Sequence, residues 1–133
     1  MTERTKFIIP GKPAYLTMVR LAIGSIADMA GFDIEEIEDI KTAVSEACKN
    51  ITCHGFKGFS EEYTVECAVE KNRLEIYVAD NSCDHVLEKL AKPCLDCPNE
   101  GNLGIFVIQS LMNDVELIEN PEGKKMIKMV KRK

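Results

Sequence analysis

Along the chain, apolar residues recur in two different periods, and the change of period divides the sequence into helical and extended segments. Thr5 to Ile9 reads as a short strand closed by Pro10-Gly11. Pro13 suits the first turn of a helix, where its missing N–H has no partner to lose. Tyr15, Val19, Ala22 and Ile26 follow at helical spacing until Gly31 supplies a stop, which predicts a first helix over 13–30. Asp33 then caps a second helix whose first turn holds Glu35 and Glu36, carboxylates that complement the positive end of the helix dipole. Its core stripe is Ile37, Ile40, Val44, Ala47 and Ile51.

Past His54-Gly55 the period falls to two. The segments 63–69 and 73–79 alternate apolar and polar positions and are joined at Glu70-Lys-Asn72, the pattern of an antiparallel hairpin. From Asn81 to Gly101 the chain is irregular, with Pro93 and Pro98 and at most a short helix over 84–90. A third helix over 103–112 places Leu103, Phe106, Val107 and Leu111 on one face. Two last strands, 115–119 and 126–130, turn at Asn120-Pro-Glu-Gly123. This order predicts an α+β protein, a two-layer sandwich with helices on one face of a mixed, largely antiparallel sheet.

Composition narrows the class without changing this picture. A chain of 133 residues, 45% hydrophobic and 29% charged, can bury a core as one domain spanning 1–133. The net charge of −5 argues against a general nucleic-acid binder, whose affinity comes mostly from neutralising phosphates. The basic end, 124–133, reads as a strand with a solvated charged face. With no apolar run long enough for a signal peptide or a membrane span, the expectation is a cytoplasmic protein. Its six cysteines are then mostly thiols. Cys94-Leu-Asp-Cys97, with Cys83 and His85 upstream, also permits a zinc site or a redox pair, although the spacing is irregular.

Three features carry candidate chemistry. Glu46 and Asn50 are one helical turn apart and share a face, which periodicity alone puts opposite the apolar stripe and reads as a solvated pair. Asp80 ends a strand rich in β-branched residues, where a carboxylate packs poorly but either accepts a hydrogen bond from a ligand at the sheet edge or equally caps the following turn. Glu100-Gly-Asn-Leu-Gly104 opens a helix with bare N–H groups and a positive dipole end, a setting suited to an anion.

Together these segments resemble a known family. Ala43-Val-Ser-Glu-Ala-Cys-Lys-Asn50, continuing to His54-Gly-Phe56, resembles the N-box of the anti-sigma-factor serine/threonine kinases, within the histidine-kinase-like ATPase superfamily of the Bergerat fold. Val78-Ala-Asp80 resembles their adenine box, and Gly101-Asn-Leu-Gly-Ile-Phe-Val-Ile108 their second glycine box. The resemblance implies ATP and Mg²⁺ as ligands, with Asn50 holding the metal and Glu46 acting as general base. It further implies Asp80 as acceptor for the adenine amino group, and Gly101, Asn102, Leu103 and Gly104 as phosphate donors beneath a lid near 83–101. By the same resemblance the partners are a sigma factor and an anti-anti-sigma protein of the STAS type, and the protein is a homodimer. Two positions depart from the pattern: Ser82 replaces the glycine of Asp-x-Gly, and Lys124 replaces the threonine of a Gly-Thr pair. They leave open a nucleotide-binding anti-sigma module without transfer.

Overall fold

The structure, a computed structural model, describes residues 2–51, 62–81, 103–119, 121 and 125–133. The side chains of 50, 51, 103–105 and 125 lie outside that description. The chain runs β1 (Glu3–Pro10), α1 (Pro13–Met29), α2 (Ile34–Ile51), β2 (Glu62–Glu70), β3 (Arg73–Asp80), α3 (Leu103–Leu111), β4 (Asp114–Glu119) and β5 (Lys125–Arg132). The strands form one sheet in the order β1-β2-β3-β5-β4. Each of its four pairings is antiparallel, and the parallel pairing of a mixed sheet does not occur among the described residues.

Local chemistry explains each boundary. Pro13 opens α1, and Gly31 closes it at φ 93°, a left-handed conformation that costs glycine nothing. The Gly31 N–H donates to Asp28 O at 3.0 Å and the Phe32 N–H to Ala27 O at 3.1 Å, the paired bonds of a Schellman stop. Helix α2 begins with a reciprocal cap. Asp33 Oδ1 accepts from the Glu36 N–H at 2.8 Å, while Glu36 Oε1 accepts from the Asp33 N–H at 3.1 Å. The β2–β3 hairpin turns on Lys71 and Asn72, the latter at φ 65°, a value asparagine tolerates.

All three helices pack on one face of the sheet. The core joins Val19, Ile23, Ile40, Val44 and Ile108 from the helices to Tyr63, Val65, Leu74, Ile76, Val78, Ile127 and Met129 from the strands. Two expected stripes are shifted. In α1 the buried residues are Leu16, Val19, Ile23, Ile26 and Ala27, whereas Tyr15 is 40% exposed and Ala22 only half-buried. In α3 Ile108 is buried, as is Met112 just past it, and the expected Leu111 packs half-buried against the core, while Phe106 is 58% exposed. In both helices nearly every position of one face and its neighbour is apolar, so two stripes one residue apart fit the helical period equally well. Packing against the sheet selects between them.

The basic end is also not wholly solvated. Lys131 lies on the core face, where its ammonium donates to Leu111 O and sits 3.7 Å from Asp39 Oδ2. The opposite, helix-free face of the sheet carries a polar ladder. The Tyr77 hydroxyl donates to Glu75 Oε1 at 2.8 Å, Arg73 pairs with the same carboxylate, and Lys128 stands 5.9 Å above the Tyr77 ring. Burial works to raise the Glu75 carboxyl, but the phenol and the guanidinium outweigh it and hold the group below its ordinary range.

Candidate nucleotide site

Helix α2 carries Glu46 and Asn50 beside a stripe that it buries in the core, Ile40, Ala43, Val44, Ala47 and Cys48. At 100° per residue, Glu46 stands roughly 60° from Ala43, the near edge of that buried stripe. The Glu46 side chain is accordingly 29% exposed, with Lys49 Nζ 4.0 Å from its Oε1. It is neither a freely solvated surface carboxylate nor a core one, which corrects the expectation drawn from periodicity.

Asp80 is the last residue of β3, on the helix-facing side, in register with the fully buried Tyr63. It is 4% exposed and is the buried charged residue among the described ones. Ionised carboxylates are tolerated at such depth only where donors meet them.

Lys131 fixes how these elements are oriented. It pairs with Leu74 near the start of β3 and ties the Asp39 turn of α2 and the last carbonyl of α3 to that end of the sheet. From there β3 runs roughly 20 Å to Asp80. Helix α2, packed over β3 and β5, runs roughly 16 Å from Asp39 to Asn50. Helix α3, packed alongside α2, starts roughly 12 Å from the same lysine. The end of β3, the last turns of α2 and the start of α3 therefore gather at the end of the molecule remote from Lys131. Leu103 and Gly104 occupy the first turn of α3. Gly101 and Asn102 lie outside the described residues, as do the expected lid at 83–101, the short helix expected at 84–90, the turn residues 120 and 122–123, Cys53, the Cys83, His85, Cys94 and Cys97 set, Ser82 and Lys124. Among the described residues no group of three or more His, Cys, Asp or Glu is placed to hold a metal, and no helix is long and apolar enough to cross a membrane.

Sequence reasoning missed the groups that fasten this end of the sheet. Asn81 is bonded through its carboxamide to Glu62 Oε2 at 2.8 Å and Thr64 Oγ1 at 2.7 Å. The signal was available: the two-residue hairpin loop sets Glu70 opposite Arg73, and counting back along that register brings Glu62 opposite Asn81.

Comparison with known proteins identifies the family. Residues 9–131 match the family model described as the histidine kinase-like ATPase domain. The serine-protein kinase RsbW of Listeria monocytogenes serotype 4a is 38% identical, in an alignment covering 88% of this chain and 80% of that protein. The serine-protein kinase RsbW of Bacillus thuringiensis is 35% identical, covering 89% and 79%. With a buried acceptor at the end of β3, a flanking carboxylate on α2 and matches over nearly its whole length, the chain belongs to the histidine kinase-like ATPase family, among the relatives of the RsbW serine-protein kinases.

Proposed function

We propose that this chain is an ATP-dependent protein serine/threonine kinase and anti-sigma factor, a single-domain cytoplasmic homodimer. It sequesters a sigma factor and phosphorylates an anti-anti-sigma protein of the STAS type, the two partners of one switch. The observation that carries the kinase reading is identity of 35–38% to serine-protein kinases over most of both chains. This favours transfer over a module that only binds nucleotide. The sigma factor, the anti-anti-sigma protein and the dimer rest on the family resemblance of the sequence.

The roles of Asp80, Glu46 and the start of α3 draw on their positions, and those of Asn50, Gly101 and Asn102 on the family resemblance. Asp80, buried at the strand end, accepts from the adenine amino group and so selects adenine over guanine, which offers a carbonyl there. By the family resemblance Gly101 and Asn102 join Leu103 and Gly104 as backbone donors to the phosphates, and the first turn of α3 adds the positive end of its helix dipole. Glu46, part-exposed on the flank of α2, takes the proton from the incoming serine hydroxyl, a task that needs both access and a held position. One turn on, Asn50 offers a carboxamide oxygen, and oxygen donors of this kind suit a hard cation. Mg²⁺ bound there with the nucleotide supplies neutralisation of phosphate charge.

Incubation with γ-labelled ATP and candidate anti-anti-sigma proteins tests the assignment. Glu46→Ala should lower transfer by roughly 10²–10⁴-fold while leaving ATP affinity nearly unchanged. Asn50→Ala should lose both transfer and the magnesium dependence of ATP binding. Undiminished transfer by Glu46→Ala would remove the proposed base.

A further inference from the structure

We propose that Asn81 is a positioning residue for base recognition: its clamp onto β2 fixes the direction of the Asp80 carboxylate and thereby sets the preference for adenine over guanine. The proposal rests on the reading of Asp80 as the acceptor for the adenine amino group.

Asp80 is the last residue of its strand, a place where ladders fray, yet base discrimination needs an acceptor held within a few tenths of an ångström. Four hydrogen bonds oppose the fraying. The Asn81 N–H donates to Glu62 O at 2.9 Å, extending the β2–β3 ladder one residue beyond the strand. The Asn81 Nδ2 group donates to Glu62 Oε2 at 2.8 Å and to Thr64 Oγ1 at 2.7 Å, and the Thr64 hydroxyl donates to Asn81 Oδ1 at 2.9 Å. Because an ionised carboxylate only accepts, Glu62 also settles which way the carboxamide faces.

The register shows why this acts on Asp80. Thr64 stands opposite Ala79 and Glu62 meets Asn81, so the clamp grips the backbone on both sides of the Asp80–Tyr63 pair. Alternation along the strand sends Asp80 to the helix-facing side and Asn81 to the helix-free side. The clamp therefore touches no nucleotide and works through the main chain. Its members are exposed or half-buried polar groups, so removing one leaves the core intact.

The test is calorimetric binding of ATP and GTP, with magnesium, to the full chain. Asn81→Ala and Thr64→Val should each weaken ATP by roughly tenfold, the worth of one well-placed hydrogen bond, and leave GTP unchanged. The double variant should be no worse than either single one, since both open the same clamp, and Thr64→Ser, which keeps the hydroxyl, should retain the native ratio. Equal weakening of both nucleotides, or none, would overturn the positioning role. Asp80→Asn separates the two levels of the argument. If it abolishes the ATP preference while Asn81→Ala leaves that preference whole, the clamp fails and the base reading stands; an intact preference in Asp80→Asn would end both.

Discussion

At the scale of single residues, the core carries two groups whose ionisation opposes folding. Cys48 and Cys67 are fully enclosed, and burial pushes each thiol from its usual value near 9 up to about 12. For an acid raised in this way, the folded chain keeps its proton where the unfolded chain has released it. The stabilisation is complete below pH 9 and is lost as pH climbs toward 12. The limiting slope is about 1.4 kcal/mol per pH unit for each thiol. Urea unfolding in reducing buffer should therefore show stability falling from pH 9 to 10, before the Tyr77 phenol, itself pushed up to about 12 by burial and its bond to Glu75, adds its share. The Cys48→Ala/Cys67→Ala variant should have a shallower slope over that interval, whatever its absolute stability. A slope equal to that of the native chain would mean that these thiols are not held protonated by the fold.

At the scale of elements, the cap of α2 and the lysine beneath α3 should behave differently from the site they support. Asp33→Ala removes the reciprocal Asp33–Glu36 cap and should cost about 1 kcal/mol, or roughly 4 °C in Tm for a chain of this size. The ATP affinity should stay unchanged, because the cap lies roughly three turns from Glu46. Lys131→Met should cost about 1–2 kcal/mol, since a largely buried ammonium at a helix C-terminus is lost. Asp39→Asn should cost less, its carboxylate being 41% exposed. Equal losses from both would show that the ion pair to α2, not the carbonyl contact to α3, carries the stabilisation. Sequence made some of these elements legible and hid others for physical reasons. The caps and the hairpin are local, so Pro13, Gly31, Asp33 and Asn72 marked their boundaries directly. The place of Asp80 at the end of its strand was legible in the same way, but its burial was not. Nor were the depth of Glu46 and the inward turn of Lys131, because both depend on β3 pairing with β5, two strands separated by α3 and β4.

At the scale of the whole molecule, that same β3–β5 pairing joins two antiparallel hairpins into one sheet and lays α2 across the seam. The site elements come from three separate stretches of chain, α2, the end of β3 and the start of α3, and the unfolded chain has no means of bringing them together. A nucleotide that spans them binds the folded state alone and must shift the unfolding equilibrium. At a hundred times its Kd, ATP with magnesium should add about 2.7 kcal/mol, which for 133 residues corresponds to roughly 10 °C in Tm. Hydrogen exchange should slow most at the end of β3 and the last turns of α2, while the Lys131 end of the sheet changes little. GTP at the same concentration should give a smaller shift, and Asp80→Asn should bring the two nucleotides level. A melting temperature unmoved by saturating ATP and magnesium would mean that the gathered ends of α2, β3 and α3 do not form a nucleotide site, and the kinase reading would fall with it.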